Sequence, residues 1–213
     1  MFNLKLFEKY NLSEVYENNK RFYITPDGDK FKSVTTIISE HFGTEYLDKW
    51  RNRVGIEEAN RISNIAKTRG SAIHNICEKY LLGDLNYKNK HMPGTIFTFN
   101  QIKHILDENI KNIYGIEFPL YSKNLKTAGR ADLISDFSGN LSIVDFKTSK
   151  RIKQETSILN YFIQATCYAY MANYLLNINI NQIVIIIAVD DDHPQIFIKK
   201  ISDYQNTMLK IFT

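Results

Sequence analysis

Little in this sequence places it at once, and each scarcity excludes something. There are two cysteines, Cys77 and Cys167, ninety positions apart and both inside helical patterns, so a structural disulfide is not expected and a reducing compartment is. No apolar run reaches the roughly 18 residues of a membrane span, and the first residues lack the apolar core of a secretory signal. Glu8, Glu14 and Glu17 argue against an acid-poor transit peptide. The expectation is a cytoplasmic protein that makes no use of a membrane. Charge is equally undramatic: 27 basic against 23 acidic residues leave a net +4, which permits a polyanionic partner without proposing one. There is no internal repeat or low-complexity tract, and 213 residues can bury a core without staples. One domain over 1–213 is expected, with a hairpin and helical region at 1–55 ahead of a core at 56–213.

What is present centres on one stretch. Gly129-Arg130-Ala131-Asp132-Leu133-Ile134-Ser135, a break at Ser138-Gly139-Asn140, and Leu141-Ser142-Ile143-Val144-Asp145-Phe146-Lys147-Thr148 read as two antiparallel strands joined by a turn. Side chains alternate along a strand, so Leu141, Ile143, Asp145 and Lys147 share one face and Ser142, Val144 and Phe146 the other. The two ionisable groups follow the two aliphatic ones, where a buried face runs out. Asp132 on the neighbouring strand can be brought alongside. Two buried carboxylates repel unless one is protonated or a cation lies between them. Hard oxygen ligands suit Mg2+ or Mn2+, with a shell completed by water and phosphate oxygens. A lysine beside such a metal can position a water and stabilise developing negative charge, which is the chemistry of phosphodiester hydrolysis.

Asp132, twelve intervening residues, Asp145, one residue and Lys147 resemble the Asp-(Asp/Glu)-x-Lys core of the PD-(D/E)XK nuclease superfamily. Gly-Arg-Ala-Asp-Leu-Ile together with Val-Asp-Phe-Lys-Thr-Ser is similar to its RecB-like exonuclease branch. Two more segments fit in the same order: the small-residue helix Arg69-Gly70-Ser71-Ala72-Ile73-His74 upstream, and Gln164-x-x-x-Tyr168 downstream. The resemblance implies an α/β fold, a restriction-endonuclease-like core with a small mixed central sheet flanked by helices, plus an N-terminal helical region. It implies a divalent-metal-dependent exonuclease that leaves a 5′-phosphate and a 3′-hydroxyl. Asp132, Asp145, the Phe146 carbonyl and His74 would bind the metal, Lys147 would position the attacking water, and Gln164 and Tyr168 would complete the site. Glu78, one turn after His74, would orient it. Glu117 would assist the metals or hold a basic side chain, with an edge-strand surface charge as the alternative. Some members of the branch carry a four-cysteine iron–sulfur cluster; two cysteines cannot build one. An endonuclease of the same fold and a non-catalytic DNA-end-binding or recruiting subunit are the alternatives.

Around this centre, residues 1–21 read as a short helix or arm, and Arg21–Ile24 with Lys30–Lys32 as a hairpin around Pro26-Asp27-Gly28. Ser33 is a candidate helix cap. Ser33-Val34-Thr35 is similar to the mitochondrial genome maintenance exonuclease group and its phage relatives, which implies hydroxyls facing DNA phosphates. Thr44–Arg53 reads as a short helix whose Trp50, among Lys49, Arg51 and Arg53, suits base stacking or the core. A long helix follows from Ile56 to about Leu82 with Gly83 as its stop, then a loop to Gly94 with His91 in solvent. A helix over Thr95–Tyr114 ends at Gly115, and a strand leads on through Glu117 to Tyr121. Lys150, Arg151 and Lys153 make a basic run beside Lys147 and, with Arg69 and Arg130, a phosphate-contacting set. Beyond the helix Asn160–Leu176, the continuous apolar run Ile183–Val189 is a strand buried on both faces. Asp190-Asp191-Asp192 reads as a solvated turn before Gln195–Ile198, and Ser202–Ile211 as a terminal helix. The partner expected is DNA, at single-stranded ends, with replication or recombination proteins. The abundance of Asn, Ile and Lys points to AT-rich coding DNA, hence a bacterial cell or a phage-infected host.

Overall fold

The N-terminal stretch is extended chain rather than a helix or arm. In the computed structural model, which describes residues 2–43, 45–190 and 192–213 and leaves out the side chains of 45 and 46, it forms β1 (Asn3–Leu4) and β2 (Ser13–Glu17). Thr44 and Asp191, placed in a helix and a turn on sequence grounds, lie outside the described residues. Asn18 and Asn19 both have positive φ, 49° and 61°, and make a two-residue turn into β3 (Lys20–Ile24). β3 and β4 (Lys30–Ser33) form the expected hairpin, closed by Thr25 N–H donating to the Asp29 carbonyl at 2.8 Å. Ser33 ends β4 and caps α1 (Val34–Phe42), its Oγ accepting from Thr36 N at 3.0 Å.

α2 (Glu45–Val54) leads into α3 (Ile56–Leu81). Gly83, at φ 79°, closes α3 with its own N–H on the Tyr80 carbonyl and the Asp84 N–H on that of Lys79. His91 in the following loop is half-buried rather than in solvent. α4 (Pro93–Asn109) stops short of Tyr114, and the chain runs on as β5 (Ile110–Ser122). The helical spacing of Ile110 and Ile113 is overridden by long-range pairing: Asn112 and Ile113 lie parallel to β1, and Ile110 and Ile113 pair with the next strand. Gly115 is therefore not a helix stop. It sits where the register shifts, and a methyl there would come within 2.8 Å of the Phe118 ring.

β6 (Thr127–Phe137) and β7 (Asn140–Ser149) are the central hairpin, with Ser138 and Gly139 at φ 50° and 82° in the turn. α5 (Leu159–Leu176), β8 (Gln182–Val189), β9 (Gln195–Lys200) and α6 (Gln205–Phe212) complete the chain. The mixed sheet is not small: among the described residues nine strands join it, in the order β2-β3-β4-β6-β7-β8-β9, with β5 on β6 and β1 on β5. The region 1–55 holds the expected hairpin and helices, α1 and α2, and its strands are part of the central sheet. Ile143, Ile183 and Ile185 face α1, α5 and α6, whereas Val144, Phe146, Val184 and Ile186 face α3 and α4. Cys77 and Cys167 are buried on opposite faces and unpaired. No helix among the described residues is long and apolar enough to cross a membrane.

One feature of the sheet positions the acidic side chains of β6 and β7. On the side of β6 away from β5, Thr127 and Ala128 pair with β4, whereas Leu133 to Phe137 pair with β7. The strand changes partner between these two sets, and the sheet forks there.

Candidate active site

Asp132 sits at the fork, and its carboxylate does what a ladder carbonyl would otherwise do. Oδ2 accepts the Phe146 N–H at 2.8 Å. Across the hairpin Asp145 is 1 % exposed; its Oδ1 accepts from Gln164 Nε2 at 3.1 Å, and its Oδ2 is ion-paired with Lys147 Nζ but meets no aligned hydrogen bond. The Lys147 ammonium lies 5.2 Å from the Tyr161 ring centroid. From the other side of the sheet, His74 on α3 brings Nδ1 to 3.3 Å from Asp132 Oδ1. Glu117 arrives by way of a strained backbone. Its φ is 44°, a region that costs a non-glycine residue about 1 kcal/mol or more. Across it the chain changes face, for Ile116 packs towards α3 and α4 and Phe118 towards α5. Ligand atoms of His74, Glu117 and Asp132 lie within 4.8 Å of one another. Glu117 is therefore a member of the site and not an edge-strand surface charge.

The electrostatics are those of an acidic centre held together by two cations. Burial pushes the Asp145 carboxyl up to about 6, with the Asp132 charge adding to it and Lys147 opposing. Burial likewise raises Glu117 to about 7, again helped by Asp132. Asp132 is held below its usual value: burial works against its ionisation, but the His74 and Lys147 charges and the Phe146 N–H outweigh it. Burial disfavours the charged form of His74, yet the Asp132 carboxylate raises it to about 9. Lys147 is raised as well, its burial outweighed by Asp145 and Asp132. A histidinium and an ammonium thus stand where a divalent cation would neutralise the same carboxylates. The carboxylates of Glu117 and Asp132 and the His74 imidazole, with the Asp145 carboxylate whose Oδ2 lacks an aligned hydrogen bond, are a donor set that fits a hard divalent cation.

Gln164 and Tyr168 lie one turn apart on α5. Tyr168 is buried against Gly129, where a methyl would come within 2.9 Å of its Cε1. The glycine of Gly-Arg-Ala-Asp and the tyrosine of Gln-x-x-x-Tyr are thus complementary. Gly70 is not a close-approach glycine: a methyl there would meet only Thr148 Oγ1, at 3.9 Å.

His74, Glu117, Asp132, Lys147, Gln164 and Tyr168 open into one cleft of about 530 Å³, which Thr35, Glu78 and Arg130 also line, while Asp145 is buried behind it. Glu78 makes no hydrogen bond to His74 among the described residues, and Asp132 takes the orienting role expected of it. Ser33 is fully buried, its hydroxyl spent on Thr36 and Thr35, so Thr35 alone of that pair reaches the cleft. Arg69 is ion-paired with Asp190 and mostly buried, which removes it from the DNA-contacting set and Asp190 from a purely solvated turn. Trp50 is half-buried on α2 and is not among the cleft's lining. Lys150 and Arg151 are exposed, while the Lys153 backbone is tied to the Gln195 side chain at 2.7 and 2.9 Å. The Lys147–Tyr161 contact and the cleft wall formed by Glu14, Arg21 and Tyr23 were not anticipated. For Arg21 and Tyr23 a signal existed, since alternation along the recognised hairpin puts both on one face.

Residues 89–182 match the model of the PD-(D/E)XK nuclease superfamily, a segment that contains Asp132, Asp145, Lys147, Gln164 and Tyr168 and begins after His74. Over that segment the chain is similar to the PD-(D/E)XK nuclease superfamily. It is also similar to mitochondrial genome maintenance exonuclease 1 of Mus musculus, 27 % identical over 57 % of this chain and 38 % of that one. The Xenopus tropicalis protein of the same name is 24 % identical over 76 % of this chain and 49 % of its own. The chain spans less than half the length of either relative. A solved structure from Eubacterium rectale aligns over 67 % of each chain at 12 % identity and a TM-score of 0.42, too slight a likeness to argue from. The fold described above is of the PD-(D/E)XK type, a central mixed sheet flanked by helices.

Proposed function

We propose that this chain is a divalent-metal-dependent DNA exonuclease that hydrolyses phosphodiester bonds from DNA ends and prefers single strands. The observation that carries the reading is the convergence of Asp132, Asp145, Lys147, Gln164 and His74 on one point at the fork of the sheet. Asp132 and Asp145 would hold Mg2+ or Mn2+, with His74, Glu117 and the Phe146 carbonyl completing the set. When bound, the metal would supply positive charge to the phosphoryl oxygens and lower the pKa of a coordinated water. The protein's own part is positioning. Lys147, anchored by Asp145, points an ammonium at the place where the attacking water must lie and where negative charge grows on phosphorus oxygens. The Gln164 amide fixes the rotamer of Asp145, and Tyr168, wedged on Gly129, fixes the turn of α5 that carries Gln164.

Action from an end is favoured by Gln-x-x-x-Tyr and by the exonuclease names of the similar proteins. The preference for single strands rests on the likeness to that group. End-labelled linear and closed circular DNA, single- and double-stranded, incubated with Mg2+ or Mn2+ and with Asp145→Ala as control, tests the whole reading. Loss of linear but not circular DNA, absent in the variant, is expected. Cutting of circles would move the protein to the endonucleases, and cleavage that survives Asp145→Ala or Lys147→Ala would overturn the site.

A further inference from the structure

Besides its acidic centre, the cleft has a basic wall assembled from separate strands. Arg21 lies on β3 and Arg130 on β6, and β4 runs between those strands in the sheet. Tyr23, one pleat along from Arg21 and fully buried, has the Arg21 guanidinium 5.6 Å from its ring centroid. Neither arginine is spent on the protein. Arg21 Nη2 donates to Thr35 Oγ1 at 2.9 Å, and the carboxylate near it, Glu14 Oε1, stands 3.9 Å from Nη1, beyond hydrogen-bond range. Glu14 already accepts the Tyr16 hydroxyl at 2.5 Å. Arg130 makes one long bond, 3.3 Å to the Leu12 carbonyl. A guanidinium has five N–H donors in a fixed fork, so most of those on each arginine have no acceptor among the described residues. Arg69 differs on the same chain in being closely ion-paired with a carboxylate, that of Asp190.

Neither Arg21 nor Arg130 is ion-paired with Asp132, Asp145 or Glu117 among the described residues, although the Arg130 charge is felt at the Glu117 carboxyl. Partly buried guanidinium donors left without an acceptor are costly unless an anion arrives, and for Arg21 the Glu14 carboxylate at 3.9 Å offers charge but no hydrogen bond. Resting on the nuclease reading above, we propose that Arg21 and Arg130 clamp the backbone phosphate adjacent to the one being hydrolysed. Thr35 holds the Arg21 fork in place by its hydroxyl. The ligand recognised is the polyanionic strand itself, through a second phosphate that the acidic centre cannot contact, and planar bidentate contact is what arginine provides and lysine does not.

Steady-state cleavage of a short single-stranded oligonucleotide over a range of salt concentrations tests this. Arg21→Ala should raise KM about 10- to 100-fold, the effect of losing a charge-assisted hydrogen bond, with a much smaller change in kcat. It should also make the fall of log(kcat/KM) with log[salt] shallower by about 0.7, the value for one single-strand phosphate contact. Arg21→Lys should keep the slope and recover only part of KM. Arg130→Ala should act in the same direction and serves where Arg21→Ala fails to fold. A folded Arg21→Ala enzyme that cleaves DNA with unchanged KM and salt slope would overturn the clamp and leave the nuclease reading standing. A wild-type protein that neither binds nor cleaves DNA would overturn both.

Discussion

Two glycines in the same cleft region should respond in opposite directions to the same added methyl group. At Gly129 the new Cβ would lie 2.9 Å from Tyr168 Cε1, 3.1 Å from its hydroxyl oxygen and 3.4 Å from Cζ. The ring is 3 % exposed and has no solvent side into which to withdraw, so the strand or α5 must shift. Overpacking of this kind costs about 1–3 kcal/mol, more than the ~0.4–1 kcal/mol that replacing glycine recovers from the unfolded chain. At about 2–4 °C per kcal/mol for a chain of this size, Gly129→Ala should lower Tm by several degrees. The shift is passed on to Gln164, one turn away, and through its 3.1 Å hydrogen bond to Asp145, so kcat should fall as well. At Gly70 the methyl would be 3.9 Å from Thr148 Oγ1, an ordinary contact, and it would sit inside α3. There, alanine should stabilise by about 0.5–1 kcal/mol. Urea titration and thermal melting of the two variants decide the matter. If both shift the same way, or if Gly129→Ala is as costly in a Tyr168→Ala background as in the wild type, the wedge between the two motifs does not exist.

Arg69→Ala should lower stability by about 1 kcal/mol, because its ion pair with Asp190 is mostly screened from water, and should leave the salt dependence of cleavage as it was; a shallower salt slope would return Arg69 to the DNA-contacting set. Glu117→Gln should weaken metal activation about tenfold or more, with kcat largely recovered at high Mg2+, read from a metal titration of cleavage; an unchanged titration would remove Glu117 from the site. In EDTA, Tm should fall as pH rises from about 5 to about 9. Asp145 and Glu117, raised to about 6 and about 7, hold protons in the folded state that the unfolded chain has lost, and His74, raised to about 9, contributes stability below its unfolded value that disappears as pH passes 9. Asp132, lowered, acts with the opposite sign only in more acid solution. Added Mg2+ should reverse the loss, and a Tm that is flat or rises over this range would contradict the arrangement of charges.

The residues proposed to carry the chemistry were legible because their placement follows from local rules. Alternation along a hairpin put Asp145 and Lys147 on one face, a two-residue turn at Ser138-Gly139 set the register that brings Asp132 opposite, and a 3.6-residue period put Gln164 over Tyr168. Ser33 was legible for the same reason, since a cap is a four-residue event. What was not legible depends in each case on a distant partner. α4 yields to β5 because β1 and β6 offer Ile110–Ile113 a ladder. Arg69 turns from solvent to Asp190, 121 positions away. The Asn18-Asn19 turn is local but relies on two non-glycine residues at positive φ, which sequence reading discounts. Glu117 joins both kinds of difficulty, for its backbone is strained locally and the reward lies in Asp132 and His74 on two other elements. The glycine needed at the site is Gly129 and not Gly70, because close approach is decided by what stands opposite rather than by the motif in which the glycine occurs. The fork of β6 unites these cases. A strand that exchanges β4 for β7 leaves a gap in the ladder, and at that gap Asp132 can spend one oxygen on the Phe146 amide while the other meets His74. No window of sequence shows such a gap, since it exists only once the N-terminal hairpin has docked on the same sheet. The hairpin read as lying ahead of the core therefore helps to make the site, both by ending the ladder at Ala128 and by lining the cleft with Arg21.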